Sequence, residues 1–335
     1  MGEQSREIGP LLEVNEAGFD YMVRPGLFQA RQRLRAVDAV SLSLNSSETL
    51  TVIGESGSGK TSLGQLMIGE RSPSAGAVTL DGAHVSRISS KKRARLVQPV
   101  VQNPGSVFDP RWSIGRSLAE PLRIHFGSNC DIDGSVRAIV EETCLSLSVL
   151  TRFPHQLSGG QLQRAAIARA LLLQPKLLVC DEAVTALDAT VQSKIINLLN
   201  EVQRNSGVSI VFITHDINLA ARMGHRIAVM YLGKIVELGP ADQVGGRRSH
   251  PYTRALFRAA PRREGPRRKR ATLQGELPNP LQRPSGCAFH PRCPSAGPLC
   301  REHAPPVLAI GAGHAISCHY DFSASEQPQM QELTG

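Results

Sequence analysis

Nine consecutive residues, Gly54, Glu55, Ser56, Gly57, Ser58, Gly59, Lys60, Thr61 and Ser62, carry the densest chemistry in the chain. They contain the pattern G-x-x-x-x-G-K-[ST], in which a glycine-rich turn lets successive backbone N–H groups converge on a phosphate. Lys60 would bridge the β- and γ-phosphates of a nucleotide, and the Thr61 hydroxyl would ligate Mg²⁺. A glycine loop can also merely turn the chain. Context favours the phosphate reading: Leu50–Ile53 is a short apolar run that reads as a strand, and a helix is expected from about Lys60. The loop then lies at a helix N-terminus, where the dipole favours an anion.

Two further segments place reactive groups after apolar runs. KLLVCDEAVTALD has Leu177–Cys180, too short and too uninterrupted for an amphipathic helix, followed by Asp181 and Glu182. VSIVFITHD has Val208–Ile213 followed by His215. Adjacent acids can form a solvated turn, and a lone histidine can be packed in a core. In a parallel α/β sheet, however, ligands gather beyond the carboxyl ends of strands. That arrangement puts Asp181 near Mg²⁺, Glu182 near an attacking water and His215 near a γ-phosphate.

Composition sets the outer bounds. A length of 335 residues suits two domains, and 41% apolar with 20% charged residues excludes disorder throughout. The 30 glycines and 22 prolines point to many turns and a linker. A net charge of +9 suits nucleic acid, an anionic membrane surface or a phosphorylated ligand, and says nothing of the fold. No apolar run reaches the length of a membrane helix, and MGEQSREIGP lacks the basic and apolar regions of a signal peptide. Arg6 occupies the hydroxyl position of a myristoylation signal. A soluble, cytosolic chain is expected, with any membrane association made through a partner.

Between the loop and the carboxylates lies HQLSGGQLQRAAIARALLLQPKLL. Ser158, Gly159, Gly160 and Gln161 open a helix expected over Gln161–Leu173, whose N-terminus could receive a second anion. The glycine loop, Gln102 in VVQNP, LSGGQ, Asp181–Glu182, Asp188 in TALDA and His215 follow one another in the order found in ATP-binding cassette (ABC) ATPases. The sequence is identified as a member of that family over Leu12 to Val244. The resemblance implies an α/β P-loop NTPase fold: a RecA-like core with antiparallel β and helical subdomains. It implies ATP and Mg²⁺ as cofactors, and head-to-tail pairing in which the LSGGQ of one cassette closes on ATP held by the other. Gln102 resembles the glutamine that touches Mg²⁺ and the attacking water, Glu182 the general base, His215 the switch histidine and Asp188 the residue that links the two sites. Thr61 replaces a more frequent serine, and Ala183 a frequent proline. Family members also stack an aromatic on adenine; among Phe19, Tyr21 and Phe28, Tyr21 matches best, with a core aromatic as the alternative. Arg31–Arg35 reads as a solvated hairpin.

NPGSVFDPRWSIGRSLAEPLRI is similar to the permease-facing stretch of dipeptide and oligopeptide importers. HPYTRALFRAAPR and GELPNPLQRPSGCAFHPRCP resemble their C-terminal extension, and GLFQARQRLRAVDAVSL resembles the second of their two cassette subunits. This implies a second ABC ATPase subunit, two transmembrane permease subunits and an extracytoplasmic substrate-binding protein. The expected location is the cytoplasmic face of a bacterial plasma membrane. Peptide uptake is the expected activity, with nickel or another small solute as the alternative cargo. A soluble cassette acting on nucleic acid or ribosomes fits less well, because the chain has one cassette and no sustained heptads, and its basic stretch PRREGPRRKRATL has no aromatic to stack on bases. A regulatory pseudo-ATPase is disfavoured by the presence of both Glu182 and His215. The expected division is a cassette over 1–245 with a helical subdomain at about 103–165, a basic, proline-rich linker over 246–270 that is either solvated or drawn to anionic lipid, and a cysteine-containing domain over 271–335.

Cys287, Cys293, Cys300 and Cys318 follow the spacing C-x5-C-x6-C-x17-C, while Cys130, Cys144 and Cys180 are scattered. Structural zinc sites favour closer pairs, so ordinary zinc is disfavoured. An iron–sulfur cluster tolerates irregular spacing. The importer extension carries this pattern, and the resemblance implies a [4Fe-4S] cluster; free thiols in a small packed tail, zinc or a disulfide stay open. His290, His303, His314 and His319 are substitute ligands or simply hydrogen-bonded residues.

Overall fold

A computed structural model describes residues 9–24, 26, 30–127, 129–185, 187–260, 275–322 and 329–330. Phe28 and the basic run Arg262–Arg270 lie outside the described residues. In chain order the first half comprises β1 (Leu12–Val23), β2 (Gln32–Leu44), β3 (Thr49–Ile53), α1 (Lys60–Met67), β4 (Ala75–Leu80), β5 (Ala83–His84), α2 (Ser90–Leu96), β6 (Val97–Val100), α3 (Ile114–Phe126) and α4 (Ile132–Glu142). The second half comprises α5 (Gly159–Leu171), β7 (Leu177–Asp181), α6 (Ala189–Ser206), β8 (Ser209–Thr214), α7 (Ile217–Met223), β9 (Arg226–Tyr231), β10 (Lys234–Pro240), α8 (Pro251–Ala259), α9 (Pro298–Glu302), β11 (Val307–Gly311) and β12 (His314–Ser317).

Pattern decides which sheet a strand joins. β2 alternates buried and exposed residues along its second half, and with β1, β4 and β5 it forms an antiparallel sheet ordered β2-β1-β4-β5. One face of that sheet packs over α1 and the other remains in solvent, as such alternation requires. β3 and β8 are buried at every position, and they lie inside an eight-stranded sheet ordered β11-β12-β10-β9-β3-β8-β7-β6. The stretch β9-β3-β8-β7-β6 is parallel and covered on both faces. The chain is therefore an α/β protein whose β3, β7 and β8 end at one edge. Beside that core, α3, α4 and α5 pack through Ile114, Leu118, Val140 and Ile167 onto the side of the sheet that carries β6 and β7.

The C-terminal third differs from the expected linker and separate domain. β12 pairs antiparallel with β10 through Glu237↔Ile316 and Leu238↔Ala315, so residues 307–317 extend the main sheet. Within the expected linker, 251–259 forms α8, with Tyr252 fully buried. Basic composition masked the helix: Tyr252, Leu256 and Phe257 share a face that packs on Ile227, Val229 and Tyr231.

The start of α8 contains a pH-sensitive cap. His250 is 1% exposed and its Nδ1 accepts a hydrogen bond from the Tyr252 N–H at 3.1 Å, which requires a neutral ring nitrogen. The His250 N–H donates to Glu237 Oε2 at 2.9 Å, and Glu237 Oε1 lies 2.9 Å from His314 Nε2 on β12. Burial pushes the His250 imidazole down to about 4, against the pull of Glu237. An unfolded histidine titrates at about 6.5. Between these values the unfolded chain binds more protons, so stability is lost as pH falls from about 6.5 to about 4, by roughly 3 kcal/mol from this group. Urea midpoints measured across that window should fall less in His250→Asn, which keeps an N-cap acceptor but does not titrate. Equal slopes in the two proteins would contradict this assignment.

Candidate functional site

Three strand ends build the site. Gly54 follows β3, Asp181 closes β7 and His215 lies one residue beyond β8. β3 and β7 flank β8 in parallel register, with Ile53 opposite Thr214 and Asp181 opposite Ile213, so the three ends emerge together. The loop that follows β3 and Glu182, which follows Asp181, border a cleft of about 410 Å³ lined by Ser56, Gly57, Gly59, Lys60, Thr61 and Ser62 on the loop side. Tyr21, Gln102 and Glu182 complete the part expected from sequence.

Gly59 explains why the loop needs glycine. Its φ is +104°, and a Cβ there would lie 2.1 Å from the Ala36 carbonyl oxygen. Only a residue without a side chain lets the loop pass so close to β2. Lys60, at 5% exposure, folds its Nζ back to donate to the Gly54 and Glu55 carbonyls at 2.8 and 2.9 Å. Ser58 is fully buried, with its Oγ 3.5 Å from the same nitrogen. Burial lowers the Lys60 pKa, while Glu182, Asp181 and Glu55 pull it the other way.

The carboxylates separate by environment. Asp181 has its pKa raised by burial, opposed by a hydrogen bond from Thr61 and the charge of Lys60. Its Oδ1 is buried and finds no hydrogen-bond partner among the described residues. A buried acceptor left unpaired beside a threonine hydroxyl is the donor set a hard divalent cation takes. Glu182 is bracketed instead. His215 Nδ1 lies 3.1 Å from Oε1, and Gln102 Nε2 donates to Oε2 at 3.3 Å. Its φ of +47° is unusual for a side-chain-bearing residue, and the Glu182 N–H donates to the Ile213 carbonyl at 3.0 Å, which holds the turn. Thr185, not expected from sequence, accepts from Gln102 Nε2 at 3.4 Å and donates to the Glu182 carbonyl at 3.0 Å.

Tyr21 borders the cleft with its ring edge-on to Phe19 at 4.8 Å. Its hydroxyl donates to Gln65 Oε1 and meets Ser62 Oγ, both at 3.3 Å. The ring is thus tied to α1, beside the loop it would serve.

The LSGGQ residues lie elsewhere: none of Ser158, Gly159, Gly160 and Gln161 lines the cleft. The helix begins at Gly159 rather than Gln161 and ends at Leu171 rather than Leu173. Its start is set by a capping box, in which Ser158 Oγ accepts from the Gln161 N–H at 3.3 Å and Gln161 Oε1 accepts from the Ser158 N–H at 3.0 Å. Asp188 caps α6 by accepting from the Thr190 and Val191 N–H groups at 3.0 and 2.9 Å. A Cβ on Gly160 would lie 2.6 Å from Val191 Cγ1, so the beginnings of α5 and α6 form one closely packed surface.

The cysteine quartet spans two apolar groups: Cys300 and Cys318 pack in one, Cys293 packs with Tyr231 and Phe289 in the other, and Cys287 packs against both. Among the described residues no three His, Cys, Asp or Glu side chains are gathered as a metal requires. Burial pushes Cys293 up to about 11 and Cys318 up to about 12, and the neighbouring Cys287 and Cys300 push both in the same direction. Three of the four substitute ligands are hydrogen-bonded: His290 with the Cys287 carbonyl, His314 with Glu237 and His319 with the His303 carbonyl. Among the described residues no ligand set for the expected [4Fe-4S] cluster is found, and the spacing alone could not reveal which apolar group each thiol joins.

The C-terminal segment supplies what sequence reasoning missed. Pro280 and Arg283 line the cleft, with Arg283 donating to Asp38 Oδ2 at 2.8 Å and to the Arg35 carbonyl. Arg292 reaches Glu55 in the glycine loop itself. No local spacing signals either contact.

Comparison with known proteins places this geometry. The ABC transporter family model matches residues 37–185, and the model of the oligopeptide/dipeptide transporter C-terminal region matches 236–300. A probable peptide ABC transporter ATP-binding protein of Sinorhizobium fredii is 41% identical, over 92% of this chain and 89% of the relative. The oligopeptide transport ATP-binding protein OppF of Salmonella typhimurium is 40% identical over 92% and 95%, and AppF of Bacillus subtilis 37% over 92% and 97%. Among solved structures, the dimeric ATP-binding cassette MJ0796 in a post-hydrolysis state bound to ADP and Pi is similar, with a TM-score of 0.61. It is 25% identical and covers 69% of this chain and 98% of its own.

Proposed function

The chain belongs to the family of ABC transporter ATP-binding proteins, and we propose that it is the ATP-hydrolysing subunit that energises dipeptide or oligopeptide uptake in a bacterial importer. The observation that carries the reading is the Glu182 carboxylate, held between Gln102 and His215 at the rim of the phosphate-loop cleft. Peptide cargo is supported by the match of residues 236–300 to the oligopeptide/dipeptide transporter C-terminal region and by relatives named for peptide transport.

In this reading the N–H groups of Ser56–Thr61 wrap the triphosphate and Lys60 turns from its two carbonyls to the β- and γ-phosphates. Glu182 accepts the proton of the attacking water, which Gln102 orients. His215 stabilises the γ-phosphate and keeps Glu182 in place. Thr61 and Asp181 Oδ1 would hold Mg²⁺, which when bound neutralises charge on the phosphate oxygens. Tyr21 supplies the face on which adenine stacks. Ser158, Gly159, Gly160 and Gln161 serve the ATP of a second cassette, to which Asp188 adds the neighbouring contact, so the functional unit is a head-to-tail pair. Their position outside this chain's own cleft, packed as one surface with the start of α6, supports that pairing.

The pair would sit under two permease subunits supplied by an extracytoplasmic binding protein, on the cytoplasmic face of the membrane. No helix among the described residues is long and apolar enough to cross a bilayer, so attachment through the permease suits the chain. We take residues 1–245 as the cassette, with helices from about 103 to 165 facing the permease, and the remainder as an extension docked on it. The cargo is tested by uptake of labelled dipeptides, longer peptides and Ni²⁺ in cells lacking this chain. Loss of peptide uptake restored by the wild-type chain is expected; loss of Ni²⁺ uptake alone would overturn the peptide assignment.

A further inference from the structure

The phosphate loop contains a charge of the wrong sign. Glu55 directly precedes Ser56 in a loop built to receive a polyanion, and the mechanism gives its carboxylate no task. Its partner comes from 237 residues later in the chain. Arg292 Nη1 donates to Glu55 Oε2 at 2.7 Å and Nη2 to Oε1 at 3.1 Å, a two-pronged pair in which the arginine side chain is only 4% exposed. The same guanidinium donates to Tyr231 Oη at 3.4 Å.

The arginine is held as firmly as the loop it touches. It ends the 3₁₀ turn His290–Arg292, which begins on the buried Phe289 and has Pro291 in its second position. Phe289 packs against Tyr231 and Tyr252 with ring centroids 5.4 and 5.3 Å apart. Tyr252 then accepts the Glu55 N–H at 3.0 Å. The C-terminal region thus fixes both the main chain and the side chain of Glu55. A forked pair whose arginine is buried is screened less by salt than a surface pair and cannot be reproduced by a lysine.

We propose that Arg292 is a positioning residue for nucleotide binding: it neutralises and fixes the Glu55 carboxylate in the phosphate loop, so that the cysteine-containing C-terminal region sets the affinity of the cleft for a nucleoside triphosphate. Without Arg292, Glu55 is free to swing and faces a ligand carrying several negative charges. The effect falls on affinity, because Glu55 is not among the groups around the attacking water. The inference rests on the ATPase reading above.

The test uses the full chain titrated with MANT-ATP, and ATP turnover in the complex with the second cassette and the permease. Arg292→Gln should raise Kd and KM about fivefold or more while kcat at saturating ATP stays within about twofold, a loss of roughly 1 kcal/mol or more in binding. Adding Glu55→Gln should return Kd towards the wild-type value, because the uncompensated charge is gone. Arg292→Lys, which keeps the cation and spares the fold, should lie between wild type and Arg292→Gln. A merely structural arginine would instead lower the bindable fraction, kcat and melting temperature at unchanged Kd, and the second substitution would not rescue; that pattern, or a wild-type Kd in Arg292→Lys, overturns the inference. A wild-type chain that binds no MANT-ATP would overturn the ATPase reading itself.

Discussion

Glu182→Gln should bind ATP as tightly as the wild type while turnover in the assembled complex falls by a factor of about 10²–10⁴, the usual contribution of a positioned general base. The geometry separates the two quantities. Glu182 stands at the end of β7 with its carboxylate between His215 and Gln102, and the groups proposed to surround phosphate belong to the loop on β3. Glutamine fills the same space and can keep a hydrogen bond to either neighbour, so the positive-φ turn at 182 and the cleft should persist. What disappears is the ability to take a proton from water. The checks are nucleotide binding by the isolated chain and phosphate release by the complex. Undiminished release would remove Glu182 from the chemistry.

Lys60→Ala should fail one step earlier. Hydrogen bonds to charged groups contribute about 1.5–3 kcal/mol, so ATP affinity should fall by roughly ten- to a hundredfold from loss of the phosphate contact alone. The loop itself loses contacts too, since Lys60 Nζ is the donor to the Gly54 and Glu55 carbonyls. The two variants are therefore opposites: Glu182→Gln traps nucleotide and Lys60→Ala does not hold it. Direct titration with ATP distinguishes them, and equal affinity in both would contradict the separate roles of the two strand ends.

Local placement was readable from the sequence where it had a local cause. The glycine loop was legible because an apolar strand, a glycine turn and a helix occur within a few residues, and the same logic located Asp181, Glu182 and His215 at neighbouring strand ends. Strand limits shifted by one residue, with β8 at Ser209–Thr214 rather than Val208–Ile213, because hydrogen bonding and not hydropathy sets the ends. The start of α5 moved for a different reason: glycine has low helix propensity, and the Ser158–Gln161 capping box overrides it. Gly160 looked like a loop residue, yet it sits in the helix, and a glycine stands there because Val191 leaves no space for a Cβ.

Long-range contacts were not legible. The bond between Arg292 and Glu55, the reach of Arg283 to Asp38 and the pairing of β12 with β10 each join residues far apart in sequence, and no period or spacing encodes them. Composition misled in the same region. A basic, proline-rich stretch read as linker from 246, although His250 caps a helix there and Tyr252 is among the largest fully buried side chains. Even four cysteines in one segment carried no information about whether their side chains meet. That Cys293 joins the apolar group of Tyr231 and Phe289, Cys300 and Cys318 that of Tyr320 and Phe322, and Cys287 both, depends on packing that only the folded chain shows.

The most direct test is phosphate release by the chain assembled with its second cassette and permease, compared in wild type, Lys60→Ala and Glu182→Gln with and without peptide-loaded binding protein. Release that rises with loaded binding protein in the wild type and is nearly absent in both variants is the predicted result. Phosphate release that survives both substitutions would contradict the account.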